Sequence, residues 1–488
     1  MQIGSIIRRA ALQFKDRPCL TEGDRTLSFI DFDSATDRLG NALIDKGLRP
    51  GDRVGVLLPN SIDCLIAYYA IFKAGLVRVQ LNPRETLDSH RYKIDYSGCR
   101  CVIHDDVPGI DAQIQILQPE LLRMIEHGPQ RPCAVDRDLD APLRLGFTGG
   151  TTGNAKAVTL TTRTDLVETN VFLADLIPEL REGRIFLHGA PIAHAGGAFF
   201  LPSVIRGVHS VIMTKFDPGD FMRLASSTQA SYSFLVPTMI AMLLDDPAID
   251  TKTHLEIITY GASSISPSLM KRAEERFGRV FAQCYGQAES PMAITYLRPN
   301  DHDRIGSCGR PFSIVEVAIF DEDDKPLPAG ERGEIVCRGP QTMAYYWNKP
   351  EATAEAFRNG WLHTGDVGVM DEDGFFYIVD RKNDLLVSGG YNIYPREIED
   401  ILMGFPGVVE AAVVGLPDEK WGDRVVAVVG GADTLDTEAL MEFARANLSS
   451  VKRPKEILIW PELPKSGANK ILRRAVRDQL VRAAEKAT

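Results

Sequence analysis

Short apolar runs alternate with helical stretches along most of the chain, and this alternation restricts the fold more than any other feature. Residues 53–59, Arg-Val-Gly-Val-Leu-Leu-Pro, read as a buried strand. Residues 61–74 read as a helix that ends at Gly75, and residues 77–81 as the next strand. Strand, helix and strand at this spacing is the pattern of a parallel α/β sheet. It returns at 184–189, 210–214, 232–236 and 256–260. The expected fold class is α/β with mostly parallel sheets, and 488 residues call for two or more domains.

The pattern changes near residue 380. Residues 374–380 read as a strand after an Asp-rich turn. A small self-contained α/β pattern follows: a helix at 395–403 with Pro395 in its first turn, and strands at 408–415, 424–429 and 456–460. Helices are expected at 437–448 and from 470 onward. The short polar joint Arg381-Lys-Asn-Asp384 is the boundary, giving domains 1–382 and 383–488.

Charge and cysteine usage remove several function classes. Lys and Arg total 55 against 66 Asp and Glu, a net charge of −11, which argues against nucleic-acid partners. An anion would need a local pocket. The best apolar run, 64–77, is interrupted by Lys73, short of the roughly 18–20 uncharged residues a membrane span needs. The N-terminal stretch has two arginines with no apolar region after them, so a cytoplasmic location is expected. The eight cysteines are scattered, only Cys99 and Cys101 being close, and read as buried reduced thiols.

Segment 147–158 is the most informative for chemistry: Phe147, Thr148, Gly149, Gly150, Thr151, Thr152, Gly153, Asn154, Ala155, Lys156, Ala157, Val158. Glycines let the backbone turn tightly and aim N–H groups into one concavity. Threonine hydroxyls add donors and Lys156 adds a mobile charge. This equipment suits a polyphosphate. It is not a Walker A loop, because the lysine lies three residues after Gly153 and is followed by Ala157.

The segment resembles the T-S-G-T-T-G-x-P-K-G signature of the adenylate-forming enzymes: acyl-CoA synthetases, peptide-synthetase adenylation domains and luciferases. Gly149, Ala155 and Ala157 depart from that pattern. Gly149 removes one hydroxyl facing the phosphates but leaves the backbone donors. Further motifs occur in the family's order. Gly261-Ala262-Ser263 is similar to the adenine-side segment, and Tyr285-Gly286-Gln287-Ala288-Glu289 to Y-G-x-T-E, with Ala288 for Thr. Thr364-Gly365-Asp366 is similar to the ribose motif, and Asp380-Arg381 and Ser388-Gly389-Gly390-Tyr391-Asn392 to the hinge and the loop after it. Pro464 to Lys470 resembles the C-terminal lysine motif, with Asn469 for Gly, and Gly51-Asp-Arg-Val and Leu81-Asn-Pro-Arg84 also fit. The resemblance covers essentially the whole chain and is strongest to the acyl-CoA synthetases.

It implies stacked α/β subdomains in the large domain and a mobile small one. It also implies an ATP-dependent carboxylic acid–CoA ligase that forms acyl-AMP with release of pyrophosphate, then acyl-CoA and AMP. ATP, magnesium and CoA are the implied cofactor and co-substrates, the acid and CoA the partners, and a homodimer is left open. Glu289 would hold magnesium, since a hard cation suits a carboxylate. Tyr285 would lie beside the adenine, Asp366 would accept from the ribose hydroxyls, and Arg381 would reach ribose or phosphates. Lys470 would stabilise charge on the α-phosphate and acid in the first step. The small domain would then rotate about Asn383, bringing Gly389, Gly390 and Tyr391 to the thioester step. Transfer to a carrier-protein thiol is the second reading, and nucleotide binding without catalysis the third.

His194, in Pro191-Ile-Ala-His-Ala-Gly-Gly197, resembles the family's acyl-pocket histidine; Gly196, Gly197 and Gly261 would leave room beside it. The expected pocket segments, 188–200, 232–239, 260–264 and 291–296, hold no Lys or Arg. An uncharged-tail monocarboxylate, aromatic or medium-chain aliphatic, is therefore expected. Arg206 is the nearest cation and is expected to face solvent.

Overall fold

The computed structural model describes residues 2–148, 155–245, 253–418, 421–431, 435–465 and 471–487. These residues form four sheets. The strand–helix–strand reading near the N-terminus holds: Arg53–Leu57 and Val77–Gln80 are parallel neighbours joined through helix Ile62–Lys73. Ser61 caps that helix by accepting from the Cys64 N–H. The lysine that interrupts its apolar run is buried too. Lys73 Nζ sits 2.5 Å from Asp33 and 2.8 Å from Asp37, so its charge is compensated where it is buried.

These strands belong to a seven-stranded sheet. Its parallel part ends in a hairpin, Pro142–Phe147 antiparallel to Ala157–Thr161, and the glycine-rich segment is the connection of that hairpin. Tyr345–Tyr346 returns from far along the chain to pair with Ala157–Thr161. The second sheet has nine strands. The runs predicted at 184–189, 210–214, 232–236 and 256–260 form its parallel centre as Ile185–His188, His209–Ile212, Tyr232–Leu235 and Ile257–Gly261. Hairpin Phe281–Gln287/Ser290–Leu297 extends one side, and Arg310–Pro311 pairs beyond it as the edge. The third sheet, from Glu316–Phe320 to Phe376–Arg381, is antiparallel throughout, a departure from the mostly parallel expectation. Between Arg332–Arg338 and Phe357–Arg358 the chain leaves this sheet to place Tyr345–Tyr346 in the seven-stranded one.

After the turn Lys382–Asp384 comes the last sheet. Gly422–Gly431 is its central strand and pairs antiparallel with Val408–Asp418 at one edge. Their apolar runs are continuous because both faces are covered. Val413, Val425 and Ala427 pack with Ile398 and Leu440 of two helices; Ala412, Val414, Val426 and Val428 pack with Val476 and Leu480 of the terminal helix. The eight cysteines are free thiols, and all but Cys99 are buried.

Candidate active site

One cleft of about 2670 Å³ is walled by the first three sheets and reaches the small C-terminal sheet unit. Its centre is Asp366, on strand Trp361–Met370, only 5% exposed. Tyr285 Oη donates to its Oδ2 at 2.6 Å and Gln287 Nε2 donates to the same oxygen at 2.7 Å. Gln287 also donates to the Thr364 carbonyl at 2.8 Å, and Arg381 Nε lies 3.4 Å from Oδ1. Asp366 and Arg381 face each other across two antiparallel strands, so their register brings them together. Burial, and next the Asp366 carboxylate, hold the Tyr285 phenol well above its usual range. The Tyr285 hydroxyl is thus committed to Asp366, and the ring is what remains for a base.

Glu289 lies where the hairpin Phe281–Gln287/Ser290–Leu297 turns. Gly286 has no room for a side chain there: a Cβ would meet Ser290 O and Met292 N, each at 2.4 Å. Tyr346 Oη donates to Glu289 Oε1 at 2.6 Å, and Lys156 Nζ lies 4.2 Å from the Tyr346 ring centroid. Burial, followed by Glu289, pushes the Tyr346 phenol up. The pairing of Tyr345–Tyr346 with Ala157–Thr161 explains the cluster, because it places Tyr346 beside both Lys156 and Glu289. Sequence reasoning missed Tyr346; a register between strands almost 200 residues apart leaves no local signal. Thr148 and Lys156 close the base of the glycine-rich hairpin, with Thr148 N–H donating to the Lys156 carbonyl at 3.0 Å. Gly149, Gly150, Thr151, Thr152 and Gly153 lie outside the described residues, as does Lys470.

The acid side is arranged around His194. Its ring nitrogens Nδ1 and Nε2 lie 2.7 Å from the side-chain amides of Gln80 and Asn82. With both nitrogens held by amides, the imidazole is fixed in place as part of the cleft wall. Gly197 is on the cleft wall, but Gly196 and Gly261 are behind it. A Cβ on Gly196 would meet the Ala190 carbonyl at 2.8 Å, and one on Gly261 the Cys284 carbonyl at 2.6 Å, so their smallness serves backbone packing instead of substrate room. Ala262 is on the wall with φ +68°, a strained conformation for a residue with a Cβ. Ser263 lines the wall beside it.

Two expectations about charge differ in outcome. Arg206 ends helix Phe200–Arg206 and is exposed. The cleft nevertheless contains cations the four predicted segments omit, since Arg78 and Arg144 line it from strands Val77–Gln80 and Pro142–Phe147. Arg144 pairs with Asp165 at 2.8 Å and Glu168 at 3.3 Å.

Gly389 and Gly390 form the tight turn between Leu386–Ser388 and Tyr391–Ile393, both with positive φ, and Tyr391 is exposed. They are away from the cleft wall in this arrangement. The backbone of Asn383 is in the turn Lys382–Asp384. Arg473, from the terminal helix, fastens this joint: it reaches Asp380 at 2.8 Å, Asp384 at 2.7 Å and Glu399 at 2.5 Å. No helix among the described residues is long and apolar enough to cross a membrane.

The sequence model of the AMP-binding enzyme family matches residues 7–347, and that of the AMP-binding enzyme C-terminal domain matches 397–470. A medium/long-chain-fatty-acid–CoA ligase, FadD8 of Mycobacterium tuberculosis, is 37% identical over 97% of this chain and 89% of its own. A feruloyl-CoA synthase of an Amycolatopsis species is 33% identical over 97% and 98%. The o-succinylbenzoate CoA synthetase of Bacillus subtilis, solved with ATP and magnesium, superposes with a TM-score of 0.88 at 27% identity, covering 98% of this chain and 99% of that one.

Proposed function

We infer that this chain, which belongs to the AMP-binding enzyme family, is an AMP-forming carboxylic acid–CoA ligase. The observation that carries the reading is the convergence of Asp366, Tyr285, Gln287, Arg381, Glu289 and Lys156 on one cleft. Those side chains supply what joining two anions requires: a ribose acceptor, a cation and a carboxylate for a metal.

In the first step a carboxylate oxygen attacks the α-phosphorus of ATP and pyrophosphate departs. Asp366 accepts from the ribose hydroxyls, and the Tyr285 ring lies against the adenine. The glycine-rich hairpin connection, 149–154, cradles the phosphates with backbone N–H groups. Lys156 and Lys470 neutralise the charge that collects there. Glu289 fits magnesium: Tyr346 occupies only Oε1, and a single carboxylate is the usual protein share of a magnesium site on a nucleotide. Magnesium would supply charge neutralisation between pyrophosphate and the protein.

In the second step the sulfur of CoA attacks the acyl carbon, the C–O bond to AMP breaks, and the thiol proton is lost to solvent. We divide the chain at 382/383 for this purpose, with residues 1–382 holding nucleotide and acid. Residues 383–488 turn at Asn383 to exchange Lys470 for Gly389, Gly390 and Tyr391. Mixing the protein with ATP, magnesium and a panel of acids, with CoA present or omitted, tests the reading. Pyrophosphate release with an acid, and thioester only with CoA, is expected. Thioester formed on a carrier protein but not on CoA would select the second acceptor.

A further inference from the structure

The cleft continues past His194, away from the glycine-rich connection. Strands Val77–Gln80 and Pro142–Phe147 run parallel, with Arg78 opposite Arg144, and the glycine-rich segment follows Phe147. Arg78 and Gln80 share one face of their strand, about 7 Å apart along it. Gln80 holds His194, so Arg78 is in the same wall but one side chain farther from the phosphates.

Arg78 is placed unusually for a cation. Its guanidinium lies over the Tyr68 ring, 4.1 Å from the centroid, and 5.7 Å from that of Phe72. Among the described residues no carboxylate comes within ion-pair distance of it; Asp165 and Glu168 act on it from farther off and are in contact with Arg144 instead. Arg78 Nε is buried without a hydrogen-bond partner. The residue keeps some accessible surface even though it is deep in the protein, and that surface opens on the cleft. Burial pulls its guanidinium below the usual arginine range, yet the group stays charged. A buried cation with no carboxylate in direct contact, its acidic neighbour Asp165 being held by Arg144, is costly unless something supplied from outside compensates it.

We propose that Arg78 binds an oxygen acceptor at the far end of the acid, so that the substrate carries a second polar oxygen group, a carboxylate or a phenolic hydroxyl. This rests on the acid–CoA ligase reading and replaces the plain monocarboxylate expected from the four apolar segments. The acid's carboxylate would stay at the phosphate end, its apolar middle would pass His194, Leu65 and Leu201, and its distal oxygen would meet the guanidinium.

Matched acids test this: octanedioate against octanoate, and 4-hydroxycinnamate against cinnamate. Each is assayed by pyrophosphate release at saturating ATP with wild type, Arg78→Met and Arg78→Lys. In the wild type, kcat/KM should favour the oxygen-bearing member of at least one pair by about tenfold or more, as a charge-assisted hydrogen bond provides. Arg78→Met should lose that preference while the KM for ATP stays, and Arg78→Lys should keep part of it for the carboxylate. Equal or better use of the plain acid in both pairs, or a preference that survives Arg78→Met, overturns the proposal. Thermal shift without ATP separates the two readings. If no acid releases pyrophosphate, the ligase reading fails, but an octanedioate-induced rise in Tm in wild type and not in Arg78→Met still supports the site. Equal shifts in both proteins overturn it. Should Arg78→Met not fold, the wild type against Arg78→Lys comparison decides, an undiminished preference in Arg78→Lys for the hydroxyl acid counting against the guanidinium.

Discussion

Asp366 shows what one residue can reveal and conceal. In sequence it is an aspartate in a Gly-Asp turn, and only its surrounding motif singles it out. In the structure it accepts two hydrogen bonds on one buried oxygen while Arg381 faces the other. Asp366→Ala would remove the ribose acceptor and leave the Tyr285 and Gln287 donors unpaired. Hydrogen bonds to a charged group contribute about 1.5–3 kcal/mol, so the KM for ATP should rise roughly ten- to a hundredfold. Steady-state kinetics against ATP check this, and an unchanged KM would leave Asp366 a turn residue. Tyr346 is the converse case, with no motif and a contact that only the fold creates. Tyr346→Phe keeps a ring under Lys156 but removes the donor to Glu289. The magnesium concentration for half-maximal pyrophosphate release should rise by about tenfold or more, since hydrogen-bond partners of metal-holding groups matter on that scale. An unaltered magnesium dependence would show that Glu289 needs no such support.

At the scale of elements, local pattern was legible wherever neighbours in sequence are neighbours in space. Helix Ile62–Lys73 and its flanking strands fall within a few residues of the reading, because Ser61, Gly75 and the apolar run set them locally. The third sheet was not legible as antiparallel, since pairing direction depends on which strands meet. Nor was the charge inside helix Thr162–Val171. Glu168 is buried there, facing Arg144 of the adjacent strand beside Asp165 of its own helix, with Oε1 unpartnered. Burial is the main reason its carboxyl is pushed up to about 8, against the pull of Arg144 and with a further push from Asp165. Between its ordinary value of 4.5 and about 8 the folded protein keeps a proton that the unfolded chain releases. Stability from this site is therefore full below pH 4.5 and is lost as pH rises toward 8. Glu168→Gln should flatten that decline. Melting curves at pH 5 and pH 8 should show a smaller drop in the variant than in wild type, and equal drops would mean Glu168 is ionised in the fold.

For the molecule as a whole, the position of the last 106 residues matters most, because both half-reactions are assigned to them. The superposition on the ATP- and magnesium-bound synthetase covers 98% of this chain at a TM-score of 0.88. Side chains from both sides of the joint hold the small unit where it is. Arg473 latches it there through Asp380, Asp384 and Glu399, and Arg332 adds an ion pair to Glu397 at 3.2 Å. Turning requires the backbone at 381–385 to change while these contacts are exchanged. Asn383 lies within a tight 3₁₀ turn, a geometry whose φ of about −50° to −70° proline accepts. Asn383→Pro should thus hold the small unit where it is now. Pyrophosphate release in a single turnover should remain near the wild-type rate, while transfer of preformed acyl-AMP to CoA slows severely. Thioester formation at the wild-type rate would mean that the chain turns elsewhere in the joint, or that CoA reaches the acyl group without any turn.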